Sequence, residues 1–427
     1  MSRNFSDNIT QKVAIVAGLF LLSTLVISGL TQASQSAIAP AWTYSASNDI
    51  RAVAVSGTGD LVVIGTGDNK VIAFNQQGTR LWEQSVSDIP SGIAVARDGS
   101  TIAVNLWSGN VVTYDWDGSL LGEYPVSDFI GGIAISDNGN HLAVGSWNSN
   151  VYLLSRYGTS SWYSKTDEQV NTIAISGDGS RIVSGGRNGD VTARDMTGNH
   201  VWTSKQISPV VAIAVSQSGN LTAAGFQNGK VILFDQTGSI VKECPTNGVI
   251  TCLGMTRNGE MTFAGTANSG LYAFDSKGNQ LWDASFSGSV KSIAVSDIGM
   301  VVAGDTDGIV AGFDTNGVKT MEFQAGDVIN SVAISGNGDT IAAGSNDDHA
   351  YTFDNRAGVA IPRVTMTITP VTSQVPANTP TAGPGMGSSS NGTNTPTPAG
   401  SAVQMWIVIV SISAAIGVTM CYSAGKK

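Results

Sequence analysis

Ile293-Ala-Val-Ser-Asp-Ile-Gly-Met-Val-Val-Ala-Gly-Asp-Thr-Asp-Gly-Ile-Val-Ala-Gly-Phe-Asp314 holds three short apolar segments, 293–296, 301–304 and 309–314. They are separated by Asp297-Ile-Gly299 and Thr306-Asp-Gly308, and a further turn at Asn316-Gly317 leads into a fourth segment. Asn, Asp and Gly are the residues that tolerate the positive φ of tight hairpins, so the stretch reads as successive antiparallel strands. The nearly unbroken apolar character of the first strand fits burial on both faces, as in a sheet packed between two neighbours. Its small Ala294 suits a crowded position.

The same pattern recurs along the chain. Aligned on its first strand, it gives Val53-Ala-Val-Ser, Ile93-Ala-Val-Ala, Ile133-Ala-Ile-Ser, Ile173-Ala-Ile-Ser, Ile213-Ala-Val-Ser, Leu253-Gly-Met-Thr, Ile293-Ala-Val-Ser and Val332-Ala-Ile-Ser. The period is 40 residues with one step of 39. Eight copies at this spacing predict a radial array of four-stranded blades, an all-β, eight-bladed β-propeller over residues 40–358. Trp42, Trp82, Trp162, Trp202 and Trp282 recur in the fourth-strand slot. A large aromatic in register is expected to wedge between adjacent blades, burying about 200 Å² each, so these are structural docking residues. Trp42-Thr-Tyr-Ser precedes the first repeat, while the last repeat ends near Asp354 one strand short. The N-terminal strand is therefore expected to pair with residues 350–354 and close the ring, removing its open edges.

The chain has 427 residues, a net charge of −10, and no Lys/Arg cluster to attract phosphates, which argues against nucleic acid as a partner. Glycine-rich, weakly charged composition fits short buried strands joined by turns. Two apolar runs flank the repeats, and the expected fold carries one hydrophobic helix at each end. Val13 to Leu30 follows Arg3 and Lys12, so residues 1–12 read as a cytoplasmic N-terminus and 13–31 as a signal peptide or transmembrane helix. Residues 403–422 read as a transmembrane helix and 423–427, ending in Lys426 and Lys427, as a basic cytoplasmic tail. The positive-inside rule then puts both termini in the cytoplasm and the propeller outside the cell membrane. Residues 359–402, rich in Thr, Pro, Ser and Gly, cannot form a core and read as a stalk on the order of 35 Å long.

Gly270-Leu-Tyr-Ala-Phe-Asp-Ser-Lys-Gly-Asn-Gln-Leu-Trp282 resembles the tryptophan-docking repeat of pyrroloquinoline-quinone-type propellers, as does the stretch from Lys70 to Trp82. Ile341-Ala-Ala-Gly-Ser-Asn-Asp resembles a WD repeat. The resemblance spans residues 41 to 358 and implies the fold. The family also includes quinoprotein dehydrogenases, envelope-assembly lipoproteins and protein-binding platforms, so it implies no single function. Its enzymes carry a vicinal Cys-Cys pair beside the quinone, which this chain lacks, and neither their calcium ligands nor a catalytic Asp maps onto it. No cofactor, metal or enzymatic activity is therefore expected.

Chemistry-bearing residues are few. His141, His200 and His349 sit at or near turns and belong to no metal or nucleophile motif, and Asp305/Asp307 and Asp347/Asp348 fit tight-turn chemistry better than a calcium loop. Cys244 and Cys252 flank one blade-to-blade connection and read either as a disulfide or as two small buried residues. The informative positions are those where the repeat varies. Two residues before each first-strand anchor stand Arg51, Ser91, Gly131, Asn171, Val211, Thr251, Lys291 and Asn330, expected at the mouth of the central channel. The turn between second and third strands opens on the same face and holds Gly67, Trp107, Trp147, Arg187, Gln227, Ala267, Thr306 and Asn346. Three consecutive blades thus offer Trp107, Trp147 and Arg187, residue types used in protein hot spots and sugar-stacking platforms. The expected function is a membrane-anchored, cell-surface binding scaffold for a protein or glycan. A divergent quinoprotein and a purely structural envelope spacer are the alternatives.

Overall fold

The computed structural model describes residues 38–357, which form 32 β-strands and one 3-10 turn, Asn355–Ala357. The strands make eight antiparallel sheets of four. The blades are numbered from the N-terminus, blade 1 being 50–85, blade 4 being 170–205 and blade 7 being 290–324. Both apolar runs and the Thr/Pro-rich segment lie outside the described residues. Among the described residues no helix is long and apolar enough to cross a membrane.

Blade 8 is closed as the sequence predicts. Its three C-terminal strands take Trp42–Ser45 as the fourth, with Trp42 opposite Thr352 and Ser45 opposite His349. Each inner strand starts three residues before the apolar motif, at Val290 rather than Ile293 in blade 7. The reason is a bulge: pairing steps from Val290–Asp305 to Ser292–Gly304, leaving Lys291 outside the ladder. All eight blades repeat this shift, so the residues from Arg51 to Asn330 are the bulged residues of the ring.

Eight apolar clusters fill the spaces between successive blades. The docking tryptophans seal their outer ends. Trp82 of blade 1 lies against Gly118 in blade 2, donates Nε1–H to Trp116 O at 3.0 Å and sits 5.7 Å from the Tyr114 ring. Trp42, Trp162 and Trp282 donate in the same way to Gln76, Met196 and Thr315. Trp202 is the most buried of the five, and its indole nitrogen has no hydrogen-bond partner among the described residues. Blade 2 has no such Trp. There Gly122 brings backbone against backbone, since a Cβ on it would lie 2.2 Å from the Tyr157 carbonyl.

The inner strands of blades 2, 3 and 6 are only half-buried beyond their first residue, so solvent reaches the axis. At the lower end, residues that open the turns after the inner strands join neighbouring blades by backbone hydrogen bonds at seven of the eight seams of the ring. Gly57 donates to Arg97, Arg97 to Asp137, Asp137 to Gly177, Asp178 to Gln217, Gln217 to Arg257, Asp297 to Gly336 and Gly336 to Gly57, at 2.8 to 3.1 Å. Two ion pairs then run across this ring, Arg97 of blade 2 to Asp297 of blade 7 and Arg257 of blade 6 to Asp137 of blade 3. They are related by the four-blade offset of 160 residues and form two parallel bars beside the axis. Gly177 and Gly336 leave them room, because a Cβ on either would meet Asp137 or Arg97 within 3.0 Å.

Candidate functional site

The upper face carries the turns between second and third strands together with the blade-to-blade connections. The two are tied by one backbone bond per blade, from Trp107 N to Ile89 O, Trp147 N to Phe129 O, Arg187 N to Gln169 O and their five equivalents, at 2.9 to 3.0 Å. The side chains of the turn column therefore stand on a fixed frame. Trp107 is 49% exposed and Trp147 40% exposed.

The structure gathers four of the expected residues into one sector. Arg51 pairs with Asp49 at 2.8 Å, and its guanidinium carbon lies 5.8 Å from the Trp107 ring centroid. Lys291 donates to Asn330 Oδ1 at 2.7 Å, and Asn330 in turn donates to Ile50 O and to Asn346 Oδ1. This links blades 7, 8, 1 and 2 around the channel mouth. Burial, and then repulsion by Arg51, hold the Lys291 ammonium below its ordinary value, with Asp49 partly offsetting them. Among the described residues Lys291 has only an amide as partner, so the sector presents positive charge on a chain that is acidic overall.

The remaining expected residues stand apart. Trp147 rests on Phe129, with ring centroids 4.7 Å apart, and Arg187 reaches Gln169 Oε1 at 3.2 Å. Asn171 donates to Val210 O of blade 5 at 3.1 Å. Thr251 and Asn330 make the equivalent bond to the next blade, so part of the bulged column stitches neighbouring blades together. Where this column holds Gly131, a Cβ would fall 2.2 Å from Val170 O. The sequence reading passed over Trp116 and Tyr157, which are 63% and 62% exposed on the lower face of blades 2 and 3. The available signal was that Trp116 belongs to neither repeating tryptophan column.

The disulfide reading of Cys244 and Cys252 is corrected, because both thiols are free. Cys244 is on the outer strand of blade 5 and donates to Gly278 O at 3.3 Å, whereas Cys252 is on the innermost strand of blade 6 beside Val290 O. Three strand spacings, about 14 Å, separate the outer strand of a blade from its inner one. Burial pushes each thiol up to about 11. Native protein at pH 8 is thus expected to resist alkylation at both positions, and both should alkylate on denaturation without reductant. Mass spectrometry checks this, and a modification that requires reductant would restore the disulfide.

The acidic turns follow turn chemistry. Asp305 is buried and accepts from the backbone nitrogens of Gly288, Asp307 and Ile309, and Asp347 accepts from Gly326 N and Tyr351 Oη. Among the described residues no three His, Cys, Asp or Glu side chains are grouped to hold a metal ion.

Two families match the chain. One, PQQ_2, is described as "Outer membrane protein assembly factor BamB" and matches residues 28–132 and 247–388. The other, "WD domain, G-beta repeat", matches 118–154 and 159–192. No curated protein matches it in sequence. Among solved structures, the computationally designed protein Ika8 is 16% identical with a TM-score of 0.64, covering 73% of this chain and 97% of its own. Saccharomyces cerevisiae Sqt1 is 12% identical with a TM-score of 0.65, covering 74% and 99%. The Dos1 propeller is 16% identical with a TM-score of 0.63, covering 74% and 95%. Identities this low speak for a shared fold alone.

Proposed function

Because the chain belongs to the PQQ-like propeller repeat family described as the outer membrane protein assembly factor BamB, with WD-type repeats in its blades, we propose that it is a non-catalytic interaction scaffold. In this reading the propeller is anchored at the cell membrane through the apolar runs 13–31 and 403–422, and its upper face engages a protein or glycan partner. The observation that carries it is the Arg51–Trp107 and Lys291–Asn330 sector. It sets an exposed indole and two cations on a backbone frame that is already tied down. Such a surface loses little entropy on binding, and aromatic residues beside Arg are the usual energetic centres of interfaces. The polar groups of the bulged column that touch carbonyls of the next blade are occupied in holding the ring, which favours recognition over catalysis.

The test is crosslinking capture from native membranes with the full-length chain and a Trp107→Ala/Trp147→Ala version melting at the same temperature. A partner held by the unmodified chain and at least about tenfold less by the variant supports the upper face, since removing interface aromatics costs ~2 kcal/mol or more. Equal capture by both moves the interface, and a Trp116→Ala/Tyr157→Ala version then asks whether the lower face carries it. Absence of capture by any version favours the structural spacer.

A further inference from the structure

A second site lies between blades 3 and 4, in a cleft that runs from the upper-face segments 166–168 and 186–188 down to Arg194 and His200. Near the end of the third strand of each blade the equivalent position, one before the residue that opens the next turn, reads Phe74, Tyr114, Leu154, Arg194, Phe234, Phe274, Phe313 and Phe353. Seven blades fill this core slot with an apolar side chain, and the preceding docking Trp rests on it in blades 1, 2, 5 and 7. Blade 4 fills it with Arg194, which is only 8% exposed. Its neighbours on the same sheet face are altered too. Ser184 stands opposite Thr192 where blade 1 pairs Ile64 with Ile72, and Thr203 follows on the outer strand. The apolar cluster between blades 3 and 4 accordingly draws from blade 4 only Val170, Ile173, Ile175 and Ile182.

In place of the missing apolar contacts is a cleft of about 230 Å³, lined by Arg194, Ser184, Thr192, Thr203, His200 and Lys205 among others. The Arg194 guanidinium makes no hydrogen bond or ion pair among the described residues, and its buried Nη1 has no partner. Burial alone pulls its value down, with no carboxylate to raise it. Three carboxylates share the cleft without pairing to Arg194: Asp190 accepts from Asn188 Nδ2 at 2.8 Å and faces Lys205 at 3.6 Å, Asp167 faces Lys205 at 3.8 Å, and Glu168 stands on the wall. Beside the guanidinium runs a row of hydroxyls, Thr192 to Thr203 at 3.0 Å and Thr203 to His200 Nε2 at 2.9 Å. An unpaired buried charge is strongly unfavourable unless a counter-ion arrives, and a planar guanidinium matches a carboxylate with two parallel bonds.

We propose that this cleft binds a carboxylated monosaccharide, its carboxylate on Arg194 and its hydroxyls on Thr192 and Thr203. The volume is below that of drug-sized pockets and suits one sugar residue, free or at the end of a chain. The hydroxyl row supplies both donors and acceptors, as a polyol requires.

Thermal unfolding and calorimetry of the full-length chain with sodium glucuronate, glucose, acetate and phosphate at fixed ionic strength test the assignment. Glucuronate is expected to raise the melting temperature saturably and glucose to leave it unchanged. Arg194→Leu, which installs the residue of blade 3, is expected to melt no lower than the parent and to weaken glucuronate binding at least about tenfold. Thr203→Val, which keeps the charge, is expected to weaken glucuronate while leaving any acetate response intact. Glucuronate binding that survives Arg194→Leu overturns the proposal, as does a parent chain that ignores glucuronate. Equal responses to acetate, phosphate and glucuronate overturn the sugar assignment.

Discussion

Deletion of residues 1–48 is expected to lower the melting temperature by about 10 °C or more and to make the protein self-associate, whereas deletion of residues 1–37 is expected to do neither to the propeller. The longer deletion removes Trp42–Ser45, the fourth strand of blade 8. With it go the Trp42 ring, 5.1 Å from Phe74 and bonded to Gln76 O, and the Tyr44 ring, 4.9 Å from Phe74. These aromatics belong to the cluster joining blades 8 and 1, and losing two such contacts costs about 5 kcal/mol, a large share of the stability of an ordinary domain. The deletion also uncovers the edge of His349–Asp354, whose free N–H and C=O groups then face solvent or another molecule. Calorimetry with size-exclusion chromatography reads both effects. Adding a peptide of residues 38–48 should partly reverse them. A 1–48 deletion that melts with the parent and stays monomeric would show that closure does not depend on this strand.

The second large effect concerns where tryptophan docks. Gly118 and Gly99 both have positive φ, 86° and 74°. Alanine at either position pays the left-handed backbone penalty of about 1–2 kcal/mol. Only at Gly118 does the new Cβ meet a ring, 2.6 Å from Trp82, while at Gly99 the nearest side-chain atom is 3.7 Å away. Gly118→Ala should therefore displace the indole, break its bond to Trp116 O and cost about 2 kcal/mol more than Gly99→Ala. Paired denaturation curves measure the difference. A red-shifted emission in Gly118→Ala alone would tie it to Trp82, and equal costs for the two variants would mean that docking contributes nothing beyond backbone strain.

The fold was legible because each 40-residue unit meets the same packing problem and answers it with the same residues. Ile293 and its equivalents, the turn glycines and the repeating Trp each report a local requirement, so a single chain reveals them by repetition. Closure by Trp42–Ser45 followed from counting strands. The bulge at Lys291 was hidden, because it changes pairing without changing composition, and it moved the inner-strand start to Val290. Cys244 and Cys252 left two readings open for the opposite reason: eight positions apart in the chain, they lie on strands at opposite radii of adjacent blades. The lower ion pairs join residues 200 and 120 positions apart. They were readable only as a column of Gly57, Arg97, Asp137, Gly177, Gln217, Arg257, Asp297 and Gly336 bent into a circle. Arg194 was visible as the single break in an apolar column, but turns, not third strands, are where variation in a repeat first draws notice. On the upper face, residue type pointed to Trp107, Trp147 and Arg187. Three-dimensional neighbourhood instead joins Trp107 to Arg51, and Lys291 to Asn330, across the seam where the ring closes.

The two ion pairs at the lower end are chords, not hoops. Each ties blades that are not neighbours, 2 to 7 and 3 to 6, so a distortion that presses the ring into an oval must stretch or compress them, whereas packing between adjacent blades registers only the seams. Each chord balances a guanidinium against a carboxylate, so this bracing adds no net charge.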